Sequence, residues 1–326
     1  MQADATTLGS VGEVAALARV FPRLPTSTAT LVGPGDDAAV LAAPDGRFVA
    51  TTDMMIHGPD FRLAWSTPFD LGWKAAATNL SDVAAMGATP TALVVALAVP
   101  AGIELEFLDR FADGLRAACE ELAPGCGVVG GDLSVSDTLT VAVTAFGDLG
   151  GRAPVLRSGA RPGDTVAVSG QLGFAAAGLR LLFEQAVDES GAPDAALAAA
   201  AAEREPERIG AQLRPRPPVL DGVLAAVAGA TAMLDVSDGL ALDASRIAAA
   251  SDVAIDLSRG AVGSPEALTG GEDHALLATF PASAPLPGGF RRIGTVADGS
   301  GVLVDGHPYD DRGGWDPFEG WNGAAG

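Results

Sequence analysis

The chain has 326 residues, of which 48% are hydrophobic and 19% are charged, a composition typical of a folded protein with a large core. Its 41 acidic residues exceed its 20 basic ones, and the formal charge of −21 excludes a surface that binds nucleic acid through phosphates. The only lysine is Lys74, so a phosphate site in this protein would have little help from lysine.

The sequence favours a cytoplasmic protein without a membrane partner. The N-terminus lacks a basic start followed by an apolar run, and no apolar stretch is long enough to cross a bilayer. The two cysteines, Cys119 and Cys126, are predicted to be free buried thiols, which suits a reducing compartment.

Helical and strand-like segments alternate along the first half. Residues 9–21 have helical spacing, and two short apolar runs on either side of a turn at residues 44–46 predict a hairpin of two strands. Ser66 and Thr67 before Pro68 predict the start of a helix whose apolar pattern continues to residue 87. Further predicted elements are strands over 93–99, 128–130 and 139–146 and an amphipathic helix over 105–122.

A loop-rich segment over residues 147–163 predicts a domain boundary near Gly151, which divides the chain into domains 1–151 and 152–326. The second part predicts a strand over 164–169, a helix from about Leu172 and an alanine-rich surface helix or insertion near 192–203. A strand over 232–236, a helix over 240–250 and several short strands follow. The alternation indicates two α/β domains.

Two familiar phosphate-binding motifs are absent. The segment Gly-Pro-Gly-Asp-Asp-Ala at residues 33–38 superficially matches a dinucleotide-binding loop, but two carboxylates would stand where the pyrophosphate must approach. A P-loop is excluded because no glycine-rich run precedes Lys74. The three histidines have no metal-ligand spacing.

Aspartates recur where predicted elements end. Asp53, Asp132 and Asp235 each close a strand-like run, where sites in α/β proteins gather. A single aspartate beside glycine or serine is ordinary loop chemistry, but the set together predicts a site. The remaining members of the set are Asp36, Asp37, Asp82 and Asp238.

The helix that begins at Pro68 carries a polar stripe. Lys74, Thr78, Ser81 and Asp82 fall within a sector of roughly 100° at the standard helical step. The stripe faces either water or a site. In a site, Asp82 would bind a cation and Lys74 would lie near phosphate oxygens.

Several carboxylates can share one cavity only if cations offset their repulsion. Oxygen ligands from aspartate and threonine, without cysteine or histidine, favour Mg²⁺ over zinc. Because Mg²⁺ shares its coordination shell with phosphate, the pattern predicts a nucleotide that is held chiefly through metal ions.

Seven motifs occur in order along the chain: Gly35-Asp-Asp-Ala-Ala-Val40, Thr51-Thr-Asp53, Asn79-Leu-Ser-Asp-Val-Ala-Ala-Met-Gly87, Gly130-Gly-Asp132, the segment 151–164, Asp235-Val-Ser-Asp-Gly239 and Gly270-Gly-Glu-Asp273. Together they resemble the thiamine-monophosphate kinase family, a branch of the ATP-binding superfamily of aminoimidazole ribonucleotide synthetase, and the resemblance covers roughly residues 9–318. The resemblance implies a two-domain α/β fold of the α+β type, in which the N-terminal mixed sheets of a homodimer pair into a β-barrel. It also implies in-line transfer of the ATP γ-phosphoryl group to thiamine monophosphate with several Mg²⁺ ions, giving thiamine diphosphate and ADP.

The resemblance also implies roles for residues at matching positions. Metal ligands would be Asp37, Thr51, Thr52, Asp53, Asp82, Asp132, Asp235 and Asp238. ATP would contact Gly131, Asp132, Arg157 and Ser237, with Asp82, Asp132 and Arg157 as catalytic residues. Thiamine monophosphate would contact Asp60, Glu272 and Trp315, although the family usually has a histidine before phenylalanine at the position of Asp60.

The residues leave some alternatives open. Glu272 would either oppose the thiazolium or hydrogen-bond the pyrimidine, and Trp315 would either offer a π face or simply pack. For the whole protein, the alternatives are a related ATP-dependent synthetase of purine biosynthesis and a non-catalytic nucleotide-binding subunit.

Overall fold

The computed structural model describes residues 6–33 and 39–309. Its α-helices are α1 (Leu8–Val11), α2 (Glu13–Val20), α3 (Pro68–Ala85), α4 (Leu105–Leu122), α5 (Phe174–Gln185), α6 (Ala195–Arg204), α7 (Pro206–Leu213), α8 (Val219–Val227), α9 (Leu240–Ser251), α10 (Arg259–Val262) and α11 (Pro265–Thr269). Its strands are β1 (Thr30–Val32), β2 (Val40–Leu41), β3 (Val49–Ile56), β4 (Thr89–Val99), β5 (Gly127–Val135), β6 (Thr140–Asp148), β7 (Thr165–Ser169), β8 (Ala232–Val236), β9 (Ala254–Leu257), β10 (Ala275–Phe280), β11 (Arg291–Ala297), β12 (Gly301–Val304) and β13 (His307–Pro308).

The strands of the described residues form three sheets. A four-stranded sheet has the order β3-β6-β4-β5, a seven-stranded sheet has the order β13-β12-β9-β11-β7-β10-β8, and β1 pairs with β2. Both larger sheets are mixed, because β4 runs parallel to β5 and β12 runs parallel to β9 while the other pairs are antiparallel. The α/β fold with an N-terminal mixed sheet is confirmed, and within the described residues this sheet does not close into a barrel.

Helix α3 is the central buried helix. The Thr67 side chain caps its N-terminus by accepting a hydrogen bond from the Asp70 N–H, and Pro68 supplies a preset first turn. Gly72 lets α4 approach closely, since a Cβ there would lie 2.0 Å from the carbonyl oxygen of Phe111. Fifteen of the 18 residues of α3 are buried, so even its polar side chains must find partners inside the protein.

Two cores and one small cluster hold the fold together. The larger core joins α3 and α4 to the four-stranded sheet, and the second lies on the seven-stranded sheet beneath α9. The small cluster surrounds Trp65, where α6 packs through Ala198 and Ala201 against α5 and α7. The predicted alanine-rich helix is therefore present, and it buries part of its surface.

Two local predictions are wrong. The runs on either side of residues 44–46 do not pair as a hairpin, because β2 pairs with β1 while β3 pairs with β6 far along the chain. The predicted helix over 9–21 is interrupted at Gly12, whose φ of +79° lies outside the helical range.

The prediction for the cysteines is confirmed, because Cys119 and Cys126 are buried free thiols. Within the ranges that the structure covers, no helix combines the length and the apolar character that a membrane span requires.

Candidate active site

The polar stripe of α3 faces the interior of the protein. Lys74 is 5% exposed and Ser81 is completely buried. Ser81 Oγ lies 3.3 Å from Asp235 Oδ2 and 3.3 Å from the carbonyl oxygen of His274, both at the edge of the seven-stranded sheet. The stripe therefore connects the two sheets and does not face water.

A cluster of carboxylates lies at the C-terminal end of the stripe. Thr51 Oγ1 donates a hydrogen bond of 2.8 Å to Asp82 Oδ2, and the backbone N–H of Asp53 donates to Asn79 Oδ1 at 3.2 Å. Strand alternation places Thr51 and Asp53 on the face of β3 that packs against α3. Two elements thus bring their carboxylates to one place.

The pKa values in this cluster show how strongly the carboxylates interact. Burial, followed by the charges of Asp235 and Asp53, raises the pKa of Asp82 to about 7. Burial also raises the pKa of Asp53, with Asp235 and Asp238 adding to the rise and His274 opposing it. Asp53, Asp82, Asp235 and Asp238 therefore share one electrostatic environment, as their position in the sequence predicts.

Sequence reasoning missed His274. Its Nδ1 lies 3.1 Å from Asp235 Oδ2, and only 6% of the residue is exposed. Burial by itself lowers the pKa of His274, but the hydrogen bond and charge of Asp235 outweigh it and the pKa is raised. The one signal in the sequence is its position directly after the Gly-Gly-Glu-Asp motif, because the spacing of the three histidines does not mark it.

The loop that carries His274 is strained and tightly held. Both Glu272 (φ +68°) and His274 (φ +54°) occupy the left-handed region that non-glycine residues avoid. Their backbone N–H groups donate to the carbonyl oxygens of Ser237 (2.7 Å) and Val236 (3.1 Å). Such strain persists only where the surroundings fix the conformation, and it often marks a functional site.

A second cluster lies at the N-terminal end of the stripe. Lys74 Nζ lies 2.8 Å from Glu272 Oε2 and 3.1 Å from the carbonyl oxygen of Gln212, whose Nε2 donates to the same Glu272 oxygen at 2.6 Å. Burial on its own raises the pKa of Glu272, but the charge and hydrogen bond of Lys74 outweigh it and the pKa is lowered. Lys74 is therefore paired with Glu272 in this structure.

Asp60 lies near this second cluster. Its Oδ2 accepts a hydrogen bond of 2.7 Å from the backbone N–H of Ile56. The pKa of Asp60 is raised, chiefly by burial and also by the charge of Glu272. The hydrogen bond from Ile56 and the charge of Lys74 act in the opposite direction. The structure thus brings together Asp60 and Glu272, two of the three predicted substrate residues.

Other predicted residues lie apart from the Asp82 cluster. Strand pairing puts Thr52 opposite Thr144 and Asp132 opposite Ala96. The side chains of Thr52 and Asp132 therefore lie on the face of the four-stranded sheet that points away from α3. Arg157 is exposed near the start of β8, where the Met233 N–H donates to the Leu156 carbonyl oxygen, whereas Asp235 lies toward the other end of that strand.

The remaining predicted residues divide into two groups. Gly131 adjoins β4, Ser237 accepts the Glu272 N–H, and Asp238 pairs with Arg246 at 2.6 Å. Asp36, Asp37 and Trp315 lie outside the described residues.

The carboxylate oxygens around Asp82 could supply part of the coordination shell of a Mg²⁺ ion. In residues 6–33 and 39–309, no group of three or more His, Cys, Asp or Glu side chains is arranged to hold a metal ion by itself. Mg²⁺ usually takes only one or two protein carboxylates and completes its shell with water and phosphate oxygens. Asp82 and its carboxylate neighbours are therefore suited to a Mg²⁺ ion that arrives with a phosphate ligand.

Comparisons with known proteins identify the family of this chain. Residues 35–149 match the family model described as AIR synthase related protein, N-terminal domain. The chain is 43% identical over 333 residues to the thiamine-monophosphate kinase of Mycobacterium tuberculosis (strain CDC 1551 / Oshkosh), covering 97% of this chain and 94% of that protein. The chain belongs to the thiamine-monophosphate kinase family.

Solved structures support the same assignment. The thiamine-monophosphate kinase from Stenotrophomonas maltophilia K279a superposes with a TM-score of 0.73 at 34% identity, over 91% of this chain and 96% of that chain. The structure of AaThiL complexed with AMPPCP and TMP gives a TM-score of 0.71 at 32% identity, over 96% of this chain and 99% of that chain. The fold of a thiamine-monophosphate kinase thus extends over almost the whole chain.

Proposed function

We propose that this protein is a thiamine-monophosphate kinase, which transfers the γ-phosphoryl group of ATP to thiamine monophosphate and releases thiamine diphosphate and ADP. The observation that carries the proposal is the buried stripe of α3, which has a carboxylate cluster around Asp82 at one end and the Lys74–Glu272 pair at the other. The AaThiL neighbour, which holds AMPPCP and TMP together, supports both ligands.

The two ends of the stripe suit the two ends of the acceptor. Lys74 and Asp82 are eight residues apart on one helix, which corresponds to roughly 12 Å along its axis. The carboxylates at the Asp82 end suit phosphate groups that arrive with cations. The Lys74 end, with Glu272 and Asp60, offers hydrogen-bond acceptors to the organic rings.

Mg²⁺ is the proposed cofactor, and Asp53, Asp82 and Asp235 are its proposed ligands in the described residues. When bound, the ion would offset the charge of these carboxylates and of the phosphates. Thr51 orients the Asp82 carboxylate by donating to Oδ2, and Ser81 lies within 3.3 Å of Asp235 Oδ2. The other site residues keep only the roles that the family resemblance predicts. They are Asp37, Thr52, Asp132, Asp238, Gly131, Arg157, Ser237 and Trp315.

The proposed reaction needs no strong general base. The attacking group is an oxygen of the thiamine monophosphate phosphate, which is already anionic. A bond forms from that oxygen to the γ-phosphorus, and the bond from the γ-phosphorus to the bridging oxygen of ADP breaks. Catalysis then depends on positioning and charge neutralisation, which buried and mutually oriented side chains provide.

We also propose a homodimer formed through the four-stranded sheet. On the face of β3 that points away from α3, Met54 is 60% exposed and Ile56 is 36% exposed, and Phe48 just before the strand is 61% exposed. Apolar side chains gathered on one sheet face suit burial against a second copy. The same pairing would form the β-barrel that the family resemblance implies.

The deciding experiment incubates the purified full-length protein with ATP, Mg²⁺ and thiamine monophosphate and separates the products. We expect equal amounts of thiamine diphosphate and ADP. Asp82→Asn should abolish turnover, whereas Asp298→Asn, which changes an exposed loop carboxylate, should not.

Other outcomes identify other functions. ATP bound without turnover would indicate a nucleotide-binding subunit. ADP formed only with a sugar-phosphate substrate would indicate a synthetase. Either result refutes the kinase proposal.

A further inference from the structure

The protein holds the Glu272 carboxylate by only one of its oxygens. Lys74 Nζ (2.8 Å) and Gln212 Nε2 (2.6 Å) both donate to Oε2. Among the described residues, Oε1 has no hydrogen-bond donor, and 34% of the side chain is exposed. One oxygen is therefore fixed, and the other is available to a ligand.

Several contacts fix the direction in which Oε1 points. The Glu272 N–H donates to the Ser237 carbonyl oxygen at 2.7 Å, and the backbone stays in the left-handed region. Lys74 cannot easily turn to another partner, because it is 5% exposed and also donates to the Gln212 carbonyl oxygen at 3.1 Å. Gln212 is itself 5% exposed, so its side chain has little freedom.

The ion pair determines which substrate group suits Oε1. The ammonium of Lys74 offsets the Glu272 charge at close range, so the carboxylate attracts a distant cation only weakly. It still accepts hydrogen bonds, because acceptance needs only a lone pair in the right direction. Of the two possibilities for Glu272, the paired state favours a hydrogen bond to the pyrimidine over opposition to the thiazolium.

We propose that Lys74 and Gln212 are positioning residues that orient Glu272 to accept a hydrogen bond from the exocyclic amino group of the substrate's pyrimidine. This inference rests on the proposed function, which supplies the pyrimidine. Lys74 acts through Glu272 and does not contact the phosphates, because the helix carries it roughly 12 Å from Asp82.

The test compares thiamine monophosphate with oxythiamine monophosphate, in which an oxo group replaces the amino group. Wild-type protein should prefer the amino substrate by at least about 100-fold in kcat/KM, because a site built around a donor rejects an analogue that lacks it. Gln212→Leu should reduce this preference at least fivefold through KM, with kcat within about threefold of wild type. The matched control is Gln185→Leu, which removes the same amide from the end of α5 and should keep the preference.

A double-mutant cycle tests whether Lys74 acts through Glu272. Lys74→Met and Glu272→Met should each lower kcat/KM for thiamine monophosphate by about 30-fold, and the double variant should be no worse than Glu272→Met alone. Thermal denaturation checks that each variant is folded. Should Lys74→Met fail to fold, Gln212→Leu against Gln185→Leu decides the question.

The outcomes separate the inference from the proposed function. Additive losses in the cycle, or a Gln212→Leu protein that keeps the full preference, overturn the inference while the kinase activity stands. A loss of kcat in Lys74→Met with unchanged preference would also overturn it, because Lys74 would then serve the phosphates. A wild-type protein that makes no thiamine diphosphate refutes the proposed function itself.

Discussion

The ionised form of Asp82 is expected to destabilise the folded protein when no divalent cation is bound. Burial, Asp235 and Asp53 raise its pKa from 3.8 to about 7. At about 1.36 kcal/mol per pKa unit, this difference corresponds to about 4 kcal/mol, and screening by solvent at the partly exposed carboxylate reduces it to about 2–4 kcal/mol. Asp82→Asn removes the charge and should therefore stabilise the metal-free protein.

The effect should grow with pH, because the folded-state pKa of Asp82 lies above the unfolded one. Below about pH 4 both states are protonated, and the charge costs nothing. Between about pH 4 and 7 the unfolded chain is ionised while the folded protein holds the proton, so the cost rises. We expect Asp82→Asn to raise the free energy of unfolding by about 1 kcal/mol at pH 5 and by about 2–4 kcal/mol at pH 8.

Urea denaturation at both pH values without divalent cations measures this effect, and Asp298→Asn serves as the control for losing one surface carboxylate. In the presence of Mg²⁺, turnover of Asp82→Asn should fall by at least about 100-fold, so the variant gains stability and loses activity. Equal stability of wild type and variant at pH 5 and pH 8, or near-normal turnover, would refute the shared carboxylate environment.

Two further predictions concern the fold and the assembly. Asp273 accepts hydrogen bonds from the N–H groups of Gly173 (2.6 Å) and Ala175 (2.9 Å) at the start of α5. Asp273→Ala should therefore lower the free energy of unfolding by about 1–3 kcal/mol in urea denaturation. An unchanged midpoint would contradict this capping role. Met54→Arg places a charge on the exposed sheet face and should shift the protein toward monomer in analytical ultracentrifugation, whereas an unchanged mass would contradict the proposed interface.

The local sequence pattern predicted individual helices and strands better than it predicted which strands pair with each other. The helix over 105–122 and the strand over 232–236 appear with the same bounds as α4 and β8, because apolar spacing and glycine or proline punctuation define them locally. The hairpin prediction failed because strand pairing depends on contacts distant in sequence. Thr51 pairs with Ala145, and no local signal near β3 identifies that partner.

The prediction that aspartates end the strands was only partly right, because Asp53 lies inside β3 and Asp132 lies inside β5, while Asp235 is near the end of β8. Asp53, Asp82 and Asp235 were predicted from strand ends and from one helix stripe, and they do share one environment. Asp132 also ends an apolar run, but register puts its side chain on the opposite sheet face, with a register shift between β4 and β5 at Leu93/Val94. Sequence position alone cannot reveal on which face a residue emerges after such a shift.

Gln212 was not predictable at all. It is a single glutamine near the end of α7, 60 residues before Glu272 in the chain, and only tertiary packing brings the two side chains together. His274 was similarly hidden, because its partner is one aspartate and not a set of metal ligands. Both residues matter because of the side chains that they contact, and neither composition nor sequence spacing predicts those contacts.

The pairing of the single lysine bears on the proposed role of metal ions at this site. Lys74 is buried against Glu272, and Arg246 pairs with Asp238 and Asp243, so both cations are already neutralised by protein carboxylates. The Asp82 cluster is therefore left with an excess of negative charge, to which two phosphate-bearing substrates would add more. Since like charges about 4 Å apart repel by several kcal/mol, the proposed reaction would need divalent cations to bring the two phosphate chains together here. Under this proposal Lys74 would serve recognition of the organic rings, and metal ions would bind the phosphates.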